Sequence, residues 1–200
     1  MNKYKELQKK YKVSIREIGK KFIRTSEDTE SYLEAIKKEI DGLCDYFRTL
    51  AKIFYPGSIA GLTIENNDGL NQCRYDIEAK IESDASDGIS NVKIFCYDLT
   101  ILFKGYNHHI NFLFHDSRLF DGIDERQKAE IFRIAHERFF DKQYIATVNQ
   151  NQLNEVKAQL TEEEYTRIIT KNTILTLTDD SDEGKLLGIK VDIGDDDLRR

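Results

Sequence analysis

The chain has 200 residues, of which 40% are hydrophobic and 33% charged, with a net charge of −6. That suits one soluble domain of about 100–200 residues with its own core. No apolar run approaches the ~20 residues of a membrane span, residues 1–12 lack a secretory apolar segment, and Cys44, Cys73 and Cys96 are too scattered for a disulfide framework or a CxxC zinc site. The expected setting is a reducing cytoplasm, with no membrane partner.

The first 24 residues carry nine Lys/Arg against two Glu. Such a basic arm can track phosphates, or it can be a solvated helix face. Tyr4, Leu7, Tyr11, Ile18 and Phe22 fall roughly on one side of a helix over 3–23. A clearer period follows. Leu33, Ile36, Ile40, Leu43, Phe47, Leu50 and Phe54 alternate steps of three and four, the spacing of a seam packed on another helix. Ser26 is placed to cap that second helix, and Pro56-Gly57 to stop it. The expected partner is the helix over 3–23 or a second chain. Residues 1–55 thus read as a helical, coiled-coil-like arm, and 56–200 as an α/β lobe.

Residues 58–66 and 73–82 have strand texture around Asn67-Asp68-Gly69, a hairpin signal. In 89–103, Ile89, Val92, Cys96, Leu99 and Phe103 again step by three and four, which predicts a buried helix capped by Ser86 or Asp87 and ended by Gly105. The run 110–115 reads as a strand buried on both faces. Asp124 then caps a helix over 125–140, and 143–148 forms a second buried strand. Thr161 and Glu164 make a capping box for a helix from 162 to about 171. Two last strands are expected at 173–178 and 186–193. Alternating strands and helices give an α/β fold with a parallel pair.

Ligands of open α/β sheets collect at the carboxyl ends of strands. Two strands deliver polar residues there, Asp116 after INFLFH and Asn149 after QYIATV. A carboxylate so placed can hold Mg²⁺ through water, whereas the structural alternative is an Asp that merely opens a loop.

Three blocks come in order: SDGISNVKIFCYDL, FLFHDSRLFDGIDERQ and QYIATVNQN. Together they resemble the C-terminal domain of the YydD-type SMC-like proteins, a bacterial family with an ABC-type ATPase head. The resemblance covers about residues 58–193, and the helix before them matches the returning arm of that family's coiled coil. It implies the C-terminal lobe of a P-loop ATPase head, active in ATP-dependent head dimerisation and acting on DNA or in a defence or repair assembly. Ser86 and Gly88 fall on the signature turn, which meets nucleotide held by the opposite head. Asp116 falls on the Walker B aspartate, with Mg²⁺ held via water. Asp121 to Asp124 fall on the D-loop and Asn149 on the switch position. The resemblance makes Asp116 and Asp121 the catalytic candidates, and Ser86, Gly88, Asp124 and Asn149 the nucleotide-binding ones. ATP and Mg²⁺ are the implied cofactors of the complete assembly. A P-loop lobe, a second head and DNA are the implied partners.

The sequence departs from that pattern in four places. Ser117 stands where a water-polarising Glu is usual, and Asn149 where His is usual. Eight residues separate Asp116 from Asp124, one more than usual. GxxxxGK[ST] is absent, because Gly19-Lys20 and Gly184-Lys185 lack both the upstream Gly and the following hydroxyl. This chain alone is therefore expected to be inactive as an ATPase.

Two rival readings stand beside this one. Asp68 with Glu78-Ala79-Lys80 echoes a Mg²⁺-dependent nuclease, although Glu78 and Lys80 share one strand face like any solvated pair. Alternatively, the lobe is a non-catalytic interaction scaffold. His108, His109, His115 and His136 show no ligand spacing on one helix or strand.

Overall fold

The computed structural model describes residues 2–69, 73–83, 85–178 and 180–188. Helix α1 (Asn2–Ala35) runs on through Ser26, and α2 (Lys37–Phe54) follows after a break at Ile36, whose φ −105° and ψ 19° depart from helical values. Ser26 is therefore not a cap. It sits mid-helix, and its hydroxyl donates to Asp68 Oδ1 at 2.6 Å.

The hairpin forms as expected. β1 (Ala60–Asn66) pairs antiparallel with β2 (Tyr75–Ile81), from Ala60 opposite Ile81 to Asn66 opposite Tyr75. The link is longer than a two-residue turn, and the Asn67 amide donates to Arg74 O beyond the last strand pair. A polar clasp joins this end of the hairpin to α1. Arg74 Nε donates to Thr29 Oγ1 at 2.7 Å, a second Arg74 nitrogen to Asn66 Oδ1 at 2.9 Å, and Asn66 Nδ2 to Ser26 Oγ at 2.7 Å.

The α2 seam is buried from Leu43 onward, and Phe47, Leu50 and Phe54 are closed to solvent. Its partner differs from the expected one: α2 packs on α3 (Asp87–Lys104) and β1, within this chain. Phe54 meets Phe95 of α3 edge to face at 6.0 Å. The Cys44 thiol donates to Leu62 O of β1 at 2.9 Å, and burial pushes its pKa up.

Helix α3 is the hub of the molecule. Val92, Phe95, Cys96 and Leu99 are fully buried, as the spacing of three and four requires. Gly105 is its C-cap. Beside it lie β3 (Phe112–His115) and β4 (Gln143–Ala146), paired parallel from Phe112 opposite Gln143 to His115 opposite Ala146. A parallel pair needs a crossover, and α4 (Glu125–Arg138) supplies it, with Ile131 and Ala135 inward. The sheet is not buried on both faces: Leu113 and His115 turn toward the core, while Phe112 and Phe114 are each 51% exposed. Among the described residues only two strands make up this sheet.

Two short helices complete the fold. α5 (Gln150–Ala158) has no counterpart in the sequence reading. α6 (Glu162–Ile168) carries the expected Thr161/Glu164 capping box. Its hydrogen bonds from the Thr161 amide and hydroxyl hold the Glu164 carboxyl below its ordinary pKa. Residues 173–178 are not a strand; Ile174, Leu175 and Leu177 are exposed without pairing. Of the expected strand at 186–193, Leu186 and Leu187 lie exposed in a turn region, and 189–193 fall outside the described residues.

Candidate functional site

The carboxyl ends of β3 and β4 point the same way, so the loops after them meet. Asp116 follows β3 directly and is exposed; its Oδ1 accepts from the Arg118 amide at 2.6 Å, capping a 3-10 turn, Ser117–Phe120. The Ser117 amide donates to Thr147 Oγ1 at 3.2 Å, tying the loop after β3 to the end of β4. Asp116 is thus at the strand end expected for it, and a turn holds its carboxylate.

Asn149 precedes α5, and its amide donates to Gln152 Oε1 at 3.0 Å. The Gln152 amide nitrogen then donates to Ser117 O at 3.1 Å and to Asp121 Oδ1 at 3.0 Å. One buried side chain, 7% exposed, joins the loops after β3 and β4 and fixes the Asp121 carboxylate. Gln152 was overlooked in the sequence, although Asn149-x-x-Gln152 is a capping-box signature that marks both the helix and the residue.

The third component is the start of α3. Ser86 is its N-cap, exposed, with no cap bond from its hydroxyl. Gly88 is buried against the loop after β3: a Cβ on it would lie 2.2 Å from Gly122 O. Gly122 has φ +69°, a backbone conformation that suits glycine. Asn91, one turn into α3, donates through Nδ2 to Arg118 O at 3.2 Å and to Asp121 O at 2.8 Å. Between these elements lies an open cleft lined by Asp87, Ser90, Asn91, Asp121 and Gly122. Asp124 stands at the far end of the loop; its Oδ1 caps α4 by accepting from the Gln127 amide at 2.8 Å.

The fold therefore brings Gly88 against the Asp121–Asp124 loop, and Asp121 into reach of the loop that holds Asn149. Ser86 stands at the entrance of α3, beside this junction. Below the site, His115 Nε2 lies 3.1 Å from Asp98 Oδ2 and its Nδ1 3.0 Å from the Tyr144 hydroxyl, so the expected buried histidine is a hydrogen-bonded member of the core. The Tyr144 pKa is raised by burial first and by the nearby Asp98 carboxylate second.

The nuclease triad does not assemble. Asp68 is held by Ser26 and Asn66 at the loop end of the hairpin, whereas Glu78 lies opposite Thr63 in its middle and pairs with Lys80 at 2.7 Å on the exposed face. Among the described residues no three His, Cys, Asp or Glu side chains group as a metal site. No described helix is long and apolar enough to cross a membrane.

Comparison with known proteins gives a family and a distant structural likeness. The family described as "Uncharacterised protein conserved in bacteria (DUF2326)" matches residues 50–191. No curated protein matches. One solved structure similar to this chain is "Crystal structure of the SmcHead bound to the C-winged helix domain of ScpA", at 16% identity and a TM-score of 0.43. The match covers 57% of this chain and spans 36% of that one.

Proposed function

The chain belongs to the DUF2326 family of bacterial proteins, and on that premise we propose that it is the C-terminal half of an SMC-like, ABC-type ATPase head of the YydD kind, working in the cytoplasm. The observation that carries this reading is the junction at the carboxyl ends of β3 and β4. There the start of α3 abuts Gly122, and Gln152 gathers the loops of Asp116, Asp121 and Asn149.

In this reading each group has a role set by its position. The exposed Ser86 hydroxyl and the first amides of α3 form a surface that favours an anion presented from outside, namely the triphosphate held by an opposite head. Asp116, exposed at the end of β3, would hold a hydrated Mg²⁺ on the side of its own head's nucleotide. Asp121 is oriented by Gln152. Asp124 and Asn149 act mainly by fixing the loops, since each opens a helix. ATP with Mg²⁺ would supply the phosphates that these loops recognise, and the donor set fits only one side of such a site. The side that opposes the phosphates is present, and a cationic P-loop cradle is not in this sequence. That lobe is the required partner, followed by a second head.

Ser117 in place of Glu leaves no carboxylate next to Asp116 to polarise water. The reading therefore gives a long-lived closed dimer with slow turnover. The test is ultracentrifugation and calorimetry with Mg²⁺ and ATP, on this chain alone and together with the P-loop lobe. This chain alone binds no ATP. Completed by the lobe, it dimerises with ATP, Ser86→Arg blocks dimerisation while sparing binding, and Asp116→Ala weakens the magnesium-dependent binding. If both variants dimerise like the parent, the lobe is an interaction scaffold.

A further inference from the structure

The strand that leads to Asp116 ends on a residue that its apolar pattern does not call for. His115 closes β3 and is 7% exposed, in a place that Leu or Phe would fill by packing alone. A buried polar ring is costly unless it is hydrogen-bonded, and here both ring nitrogens have partners on other elements. Nε2 lies 3.1 Å from Asp98 Oδ2 on α3, and Nδ1 lies 3.0 Å from the Tyr144 hydroxyl on β4. A carboxylate accepts and does not donate, so Nε2 carries a ring proton. Burial raises the Tyr144 pKa, so that hydroxyl keeps its proton and donates to Nδ1. Packing alone leaves the rotation of a ring broadly defined. Bonds at both nitrogens fix it.

This fixed ring stands directly before Asp116. The His115 carbonyl accepts from the Thr147 amide at 3.1 Å, which carries the ladder with β4 to the end of the strand. Beyond Asp116, the Arg118 amide holds its carboxylate at 2.6 Å. Asp116 is thus clamped from both sides. The far jaw of the clamp is α3. Asp98 lies ten residues after Gly88, about 15 Å along the helix. Helix α3 therefore meets the β3 segment at two separate points, its entry at Gly122 and its middle at His115. Two points fix a direction as well as a position, so the helix cannot pivot about the glycine contact without pulling on the ring.

We propose that His115 is a positioning residue for Asp116, and that its bonds to Asp98 and Tyr144 set the Asp116 carboxylate for magnesium-bound nucleotide. This rests on the nucleotide reading and deepens it. Asp98 and Tyr144 act through His115 and touch no reacting group.

Titration of ATP into the chain completed by the P-loop lobe tests this, with binding read with and without Mg²⁺. His115→Phe keeps the bulk of the ring and loses both bonds. It should raise the half-saturating Mg²⁺ concentration about ten-fold, the low end for groups that orient a metal ligand, while metal-free ATP binding stays at the parental value. Asp98→Asn keeps an acceptor for Nε2 and should stay near the parent. Asp98→Ala, at a partner whose side chain is 33% exposed, should shift the metal dependence in the same direction as His115→Phe. A head that is merely destabilised would lose metal-free and metal-dependent binding together. That result, or an unchanged metal dependence in both His115→Phe and Asp98→Ala, overturns the proposal.

A second measurement needs no nucleotide. In this chain alone, hydrogen exchange at the Ser117 and Arg118 amides, which bond Thr147 Oγ1 and Asp116 Oδ1, should quicken about ten-fold in His115→Phe, while the amides of Phe47 and Leu50 in α2 keep their protection. If the completed parent binds no ATP, the nucleotide reading fails, and this exchange alone decides whether His115 positions Asp116. Equal quickening in α2, or none at Ser117 and Arg118, overturns it.

Discussion

Helices α1 and α2 carry apolar residues at nearly the same rhythm and meet opposite fates. In α2 the stripe from Leu43 to Phe54 is closed off by α3 and the hairpin, whereas in α1 Tyr4 and Ile18 remain 70% and 66% exposed. The rhythm of a helix tells that one face seeks cover. Which surface covers it is decided by the rest of the chain, and here by chain geometry at Ile36. After that break the helix is embedded in the lobe. Before it, the described side-chain hydrogen bonds between α1 and the hairpin are made at Ser26 and Thr29.

The largest expected effect comes from truncating matched aromatic positions of the two stripes. Phe47→Ala should cost about 3–5 kcal/mol in denaturant unfolding, the range for a fully buried Phe, and Tyr11→Ala should change stability by less than about 0.5 kcal/mol. A large loss at Tyr11 would mean that α1 has a covering partner in solution and would break the contrast.

A middling effect is expected at the clasp. Arg74→Ala removes the bonds to Thr29 and Asn66 and should cost about 1–2 kcal/mol. Hydrogen exchange should quicken around residues 24–32 of α1 while the core of α2 keeps its protection. If α2 loosens equally, the two helices behave as one cooperative unit.

Smaller still is the exposed Lys37–Asp41 pair at the start of α2, 3.0 Å apart. Lys37→Ala should shift stability by less than about 0.5 kcal/mol, which marks α2 as held by its apolar face and not by surface charge.

The finest probe is pH, applied at a third helix. The Glu164 carboxyl has a lowered pKa in the folded chain. Its contribution is therefore complete above the ordinary carboxylate range and is lost as pH falls through the lowered folded value. Amide shifts of α6 should titrate below the ordinary Glu value of about 4.3. A normal titration would show the capping box open in solution.

Much of this fold could be read from local rules. Steps of three and four placed α3, Asp124 and Thr161 with Glu164 marked two helix starts, and apolar runs around one helix gave a parallel strand pair. The misreadings have physical reasons. The stripe runs through Ile36 without Gly or Pro, so nothing in the sequence signals the break there. Helix α5 has few apolar residues, among them Leu153 and Val156, too sparse for a period, and only its capping box betrays it. Residues 173–178 have strand composition, but a strand exists only with a neighbouring strand to receive its hydrogen bonds, and the described backbone bonds of this segment are local, from Thr173 to Ile169 O and from Thr178 to Gly184 O. At the candidate site, residue types and order located Asp116, Asp121 and Asn149. The link among them runs through Gln152, a residue whose importance comes from two contacts distant in sequence, to Ser117 and Asp121.

The contact between Gly88 and Gly122 has a mechanical consequence. Where side chains separate two elements, rotamer changes absorb small displacements before either backbone responds. Here backbone meets backbone, and no soft layer intervenes. The entry of α3 and the loop after β3 are coupled without backlash, like meshed gears. A displacement of the α3 entry therefore presses directly on the backbone of the loop after β3, with no side chain between them to absorb it. Substituting either glycine inserts a rigid spacer into this train, and its effect would be a changed resting position of the whole loop.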